Sequence, residues 1–198
     1  MPNAGSARGR AEIRSKPQRG VPDEAAEILR AGVVAHVGFA VDGQPYVIPM
    51  TYHFDAARPD EIHLHGTQHG RLMQHLADGA PACVTVTLVD GLVYSRTAKY
   101  HSVNYRSVVA FGRAGPQPAA EERRALLDGM VARIFPGRTA GRDYEPMPDA
   151  HLEATAFVTL RVEEWSAKAR RGGPLGPQDA EPDDASPYTR GVVPLREA

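Results

Sequence analysis

The residues best placed to do chemistry lie in Ile62–Leu76, which reads IHLHGTQHGRLMQHL. Arg71 follows a glycine-bracketed turn at the start of a helical pattern, with Thr67 placed as a possible N-cap. A helix start offers unpaired N–H groups and a positive dipole end, and a guanidinium adds a two-pronged fork. Together these favour an anion such as a phosphate monoester. The plain alternative is an ordinary strand-helix connection with a solvated arginine. A competing set shares the same residues: His63, His65 and His69 form H-x-H-x-x-x-H, and three imidazoles could hold zinc with one position open. Only Asp60 and Glu61 stand near as carboxylates, and Cys83 is the sole cysteine. His36, His53, His75, His101 and His151 read as packing or solvent-facing residues. Farther along, Arg106 and Ser107 sit at the mouth of an apolar strand and need partners that solvent or an anion can supply. No side chain stands out as a general acid or base, and His65, His69 and Tyr105 are the candidate proton donors.

The elements that would position these residues follow from periodicity. Ile62 and Leu64 alternate with Glu61, His63 and His65 as in a half-buried strand, and Leu72, Met73 and Leu76 then fall at helical spacing. Upstream, Val33–Val41 and Gln44–His53 alternate around Asp42-Gly43, which suits a type I′ hairpin. Pro45 and Pro49 each remove a backbone donor, so the second of these strands is expected to have an edge or a bulge. Its free backbone groups near Pro49 would be open to a ligand. Pro81–Val89 and Leu92–Ala98 are expected to form a second hairpin about Asp90-Gly91. Tyr105–Ala114 and Ala154–Glu164 read as further strands, with helices over Asp23–Ala31 and Ala119–Phe135 and a loop over Arg138–Ala150. About seven strands, with helices confined to connections, suit a mainly β antiparallel barrel with flanking helices.

The expected domain plan is a disordered arm over 1–22, a barrel over 23–165 and an extended tail over 166–198. The apolar fraction of 42% is enough for a core, and 198 residues suit one domain. A net charge of −1 argues against nucleic-acid binding through a global positive field. No stretch approaches the roughly 20 apolar residues of a membrane span. The basic N-terminus lacks the apolar region of a secretory signal, and one cysteine permits no internal disulfide, so a cytoplasmic location is expected.

Three pieces in fixed order, GQPYVIPMTYHF at 43–54, IHLHGTQHGRLMQHL at 62–76 and HSVNYRSVVAFGRA at 101–114, resemble the FMN-binding split-barrel superfamily. The likeness is to its pyridoxamine 5′-phosphate oxidase-like and nitroimidazole-resistance-like branch, and EEWSAKARRGGP at 163–174 is similar to a fourth piece. The resemblance implies a homodimer with FMN at the subunit interface. It implies that Val47, Ile48, Pro49, Met50 and Thr51 lie along the isoalloxazine ring; the apolar slot such a ring needs could be supplied by Ile48, Met50 and Val108. His65, Gly66 and Thr67 would stand beside the ribityl phosphate. Arg71 matches the arginine of a Ser-Arg-Lys phosphate motif in which Gly70 and Leu72 replace the flanking residues. Arg106 and Ser107 match an Arg-Gln pair, Tyr105 would lie close by, and Lys168 could reach the cofactor. The implied activity is an FMN-dependent oxidoreductase passing hydride to or from a small organic substrate. The C-terminal Arg-x-His of true pyridoxamine phosphate oxidases is absent, since YTRGVVPLREA has Arg190 and Arg196 without the histidine. The alternatives are a non-catalytic flavin- or haem-binding module and a deazaflavin-dependent reductase.

Overall fold

The computed structural model describes residues 3–4, 9–183 and 186–195. Its strands are β1 (Asn3–Ala4), β2 (Val34–Val41), β3 (Gln44–His53), β4 (Glu61–Thr67), β5 (Pro81–Tyr94), β6 (Ser102–Ala114), β7 (Thr155–Arg170) and β8 (Gly191–Pro194). Hydrogen-bonded neighbours run β7–β4–β3–β2–β5–β6, and β6 pairs with β7 again, closing an antiparallel ring. Closure brings one face of each alternating strand inward. Ala35, Val37, Tyr52, Leu64, Val84 and Leu160 are buried there, so the apolar period of two seen in the sequence is the barrel interior.

Helices α1 (Ala25–Ala31) and α2 (Arg71–Ala77) stop the two ends of the ring. α1 buries Ala25, Ile28 and Leu29 completely, and the Tyr52 hydroxyl donates to the Leu29 carbonyl. The chain leaves α1 so close to the barrel that a Cβ on Gly32 would stand 2.3 Å from Val86 Cγ1. α2 buries Leu72, Met73 and Leu76 at the far end. α3 (Ala120–Ile134) lies outside, across β3, and buries only Leu126 among its described residues. α4 (Asp149–Ala154) occupies part of the stretch that reads as a loop in the sequence.

The first hairpin is as expected, with Asp42 and Gly43 both at positive φ, 50° and 79°. The second is not. β5 runs straight through Asp90-Gly91 to Tyr94, and a bulge between Val89 and Gly91 absorbs the extra residue. The Asp90 carboxylate is tied to the Arg106 guanidinium on the neighbouring strand, which keeps the two strands together where a turn would part them.

The two ends of the chain also differ from the expected arm and tail. Residues 9–22 pack along β7: Ala11 is buried, Arg10 pairs with Glu163 and Glu164, and the Val21 N–H donates to the Ala167 carbonyl. β7 continues to Arg170, past the expected boundary at 165. Beyond it, buried Arg96 donates to the carbonyls of Gln178, Glu181, Pro182 and Tyr188 and to the Asp183 carboxylate. Asp179 accepts from Ser95 Oγ and the Arg96 N–H. A Gly/Pro/Asp-rich segment has little apolar surface to bury. Here one planar guanidinium with five donors holds it instead.

Candidate functional site

β3 divides the site. Residues 44–51 pair with β2 along one side, but β4 joins the other side only at Tyr52 with Leu64 and His53 with His63. A slot is therefore left between the free edge of β3 and the Gly66–Thr67 end of β4, as the two prolines foretold. On the inner side of that slot Met50 and Met73 crowd Gly66, where a Cβ would stand 3.2 Å from Met73 Cε. Ile48 packs partly buried beside them. At the mouth, Arg71 lies 4.4 Å over the Tyr46 ring, and Tyr46 stacks on Phe39 at 5.3 Å. Arg71 has no ion-pair partner among the described residues, so its donors are open to an anion.

The N-cap of α2 is Gly70 rather than Thr67, which ends β4 and accepts the Gly70 N–H on its carbonyl. α2 has only seven residues. The charge for an anion therefore comes from Arg71 and not from a long helix dipole.

Alternation sends the other half of β3 outward. Val47, Pro49 and Thr51 pair with Gly38, His36 and Val34, which pair in turn toward Cys83, Thr85 and the strands beyond. Directly paired residues share a face, so register carries this outer face on to β6 and β7, where Ser107 stands between Thr87 and Lys168, and Tyr105 between Val89 and Arg170. Large apolar side chains are exposed along it: Val34, Val47, Val89, Leu92, Tyr94 and Val103, with Val193 of β8 opposite Leu92. Val47, the most open of these, is 66% exposed.

Several expected ligands stand elsewhere. Val108 is fully buried inside the barrel and lines no slot. Arg106 points away from Ser107, as alternation requires, and holds Asp90 with two nitrogens at 2.8–3.2 Å, with Glu27 at 4.0 Å. The Lys168 ammonium donates to the Ser15 carbonyl at 2.6 Å. His65 turns under α3 and stacks on Phe157 at 5.9 Å, away from the slot that its neighbour Gly66 borders.

His63 also lies on that side, its Nδ1 bonded to Thr159 Oγ1 at 3.0 Å. His69 is exposed on the following turn, so the three histidines do not converge. Among the described residues no cluster of His, Cys, Asp or Glu could hold a metal ion.

A feature with little sequence signal lies at the other end of β3. His53 and His63 stack at 5.9 Å, and α3 crosses His53 at Gly129. Burial lowers His53 and His65 below the ordinary imidazole value and takes His63 down to about 4, with Arg133 adding to the shift at His53 and Arg58 at His63. All three rings are neutral near pH 7. Beside them a cleft of about 790 Å³ opens between α3, the end of α1 and the loop after β3. His53 would be found from sequence only by combining its place at a strand end with a glycine on a helix far along the chain.

A family model described as pyridoxamine 5′-phosphate oxidase matches residues 22–169. No curated protein matches the chain. Among solved structures, the FAD and heme binding protein from Mycobacterium smegmatis is 32% identical, with a TM-score of 0.75 over 87% of this chain and 81% of its own. A flavocytochrome from Azotobacter vinelandii is 31% identical, with a TM-score of 0.81 over 98% of this chain and 87% of its own. A protein described as a 5-nitroimidazole antibiotic resistance protein, from Bacteroides thetaiotaomicron, shares the fold at 20% identity and a TM-score of 0.59, over 79% of this chain and 85% of its own.

Proposed function

The chain belongs to the pyridoxamine 5′-phosphate oxidase family, and we propose that it is a flavin-dependent oxidoreductase, working as a homodimer that takes the flavin in the slot beside β3. The observation that carries this reading is the split between β3 and β4, with Met50 and Gly66 on its inner side and Arg71 unpaired at its mouth. Bound flavin supplies hydride or electron transfer, while the protein binds, orients and screens it. Arg71 would take the phosphate end. Ile48 and Met50 would meet the ring from the barrel side, and the β3 backbone from Val47 to Thr51 would offer hydrogen bonds to its polar edge. The exposed apolar face that begins at Val34 and Val47 is the surface for a second copy, which would cover the slot and exclude water.

The motifs imply FMN, but FAD suits this clip better. A phosphate monoester calls for several donors, and here one guanidinium stands where the motif has Ser-Arg-Lys. A dinucleotide carries less charge on each phosphate and adds an adenine to bury. The M. smegmatis relative is named for FAD. A small organic substrate and a cytoplasmic location complete the proposal. No helix among the described residues is long and apolar enough to cross a membrane.

A true pyridoxamine phosphate oxidase is not proposed. Arg190 is engaged by Asp183 at 3.1 Å, and Arg196 lies outside the described residues.

Anaerobic mixing of the flavin-loaded protein with NADH and with NADPH tests the enzymatic part. Bleaching of the flavin by one of them is expected, and no bleaching with either would leave a storage or sensing module. A second reading is favoured by the two relatives above 30% identity, both named for flavin and haem together: the chain carries haem as well.

A further inference from the structure

Arg71, at the mouth of the slot, is the top of a stack of four side chains. Its guanidinium carbon lies 4.4 Å over the Tyr46 ring, Tyr46 stacks on Phe39 with centroids 5.3 Å apart, and Phe39 meets His75 at 5.1 Å. We propose that this stack makes the slot select phosphate-bearing flavins over riboflavin, with Tyr46 as the positioning residue that presents Arg71. The inference rests on the flavin reading above and deepens it by naming what aims the clamp and which class of flavin the clamp favours.

The stack follows from how the chain folds locally. Phe39 and Tyr46 are directly paired across the β2–β3 hairpin, so their side chains share the inner face. Arg71 and His75 stand four residues apart on α2, which brings them to one side of that helix. Two rings of the hairpin are thus held between two side chains of one helix. Phe39 is buried and fixed in the core. His75 Nε2 is buried without a hydrogen-bond partner, and ring packing is the contact that this imidazole makes.

Tyr46 acts on the arginine without using it up. A guanidinium over a ring face is attracted to the π cloud, and the attraction takes none of its N–H donors. Arg71 has no ion-pair partner among the described residues, so the ring is what holds it in place.

β3 sets the rest of the geometry. Tyr46 shares its face with Ile48 and Met50, which follow at roughly 7 and 13 Å along the strand. A flavin ring lying against Ile48 and Met50 reaches Arg71 only through its ribityl chain. FMN and FAD carry a phosphate at the end of that chain and gain a charge-assisted hydrogen bond, whereas riboflavin ends in a neutral hydroxyl.

The test is an equilibrium fluorescence titration of the full-length protein with riboflavin, FMN and FAD. The wild type should bind FMN and FAD more tightly than riboflavin. Tyr46→Phe keeps the ring face and should match the wild type with all three. Tyr46→Leu keeps an apolar side chain on Phe39 but offers no ring face. It should lose about three- to tenfold in affinity for FMN and FAD, with riboflavin unchanged and the fold, followed by thermal melting, kept. In an Arg71→Ala protein the same Tyr46→Leu change should make no further difference to FMN. A tyrosine that merely packed α2 on the hairpin would weaken all three flavins alike, and that result overturns the inference. So does a folded Tyr46→Leu with wild-type FMN affinity, or a wild type that binds riboflavin as tightly as FMN. Each of these leaves flavin binding itself in place, whereas a wild type that binds none of the three refutes the flavin reading along with this one.

Discussion

Arg71 is a single exposed cation whose planar group is already oriented by the Tyr46 ring, so part of the entropy of fixing it is paid before any ligand arrives. A charge-assisted hydrogen bond contributes about 1.5–3 kcal/mol. Arg71→Ala is therefore expected to weaken flavin binding about ten- to hundredfold in an equilibrium fluorescence titration, with the melting temperature unchanged. Unchanged affinity would remove the clamp from the slot. Tyr52 presents the opposite case, a buried hydroxyl whose role is structural. Tyr52→Phe leaves the Leu29 carbonyl without that donor inside the α1 plug, and a loss of about 1–3 kcal/mol is expected in urea unfolding. The strand, turn and helix start around Arg71 are legible in the sequence because that pattern is local. His65 was misjudged because alternation told which residues share its face but not what covers that face, and the covering helix α3 comes from far along the chain.

At the level of elements, the strands with strict alternation were legible, and so was the edge on β3, because proline removes a donor wherever it stands. The C-terminal tail was not. Its anchor is a polar network with no periodic trace, centred on Arg96 and Asp179. Burial alone would raise the Asp179 carboxyl, but donors from the Arg96 N–H, the Ser95 hydroxyl and the Gly176 N–H outweigh it and hold the group below the usual carboxylate range. A carboxyl lowered on folding adds stability above its unfolded value, and that contribution is lost as pH falls through the folded value. Acidification below about pH 4 should thus release the tail before the barrel opens. Hydrogen exchange should show early deprotection of residues 176–182 with β5 and β6 still protected, and Asp179→Asn should show the same release at neutral pH. Simultaneous loss of tail and barrel would contradict a separately anchored tail.

For the whole molecule, the outer face of the barrel is the surface left unexplained by a single chain. Its exposed valines, leucine and tyrosine run from β3 across to β8, and Val47 stands at the lip of the slot. Val47→Glu combined with Val103→Glu should yield a monomer by analytical ultracentrifugation and, with it, loss of flavin binding. A monomeric variant that still holds flavin would separate the slot from the interface. The antiparallel barrel was legible because each of its strands declares itself locally. The exposed apolar side chains on one face of the barrel were not, since sequence can only call that face solvent-side. The most direct measurement is the visible absorption of the purified full-length protein after incubation with excess FAD and, separately, excess FMN, with unbound flavin removed. A yellow dimer with one flavin per chain, held more tightly as FAD, is expected; a protein that stays colourless with both would contradict the flavin assignment itself.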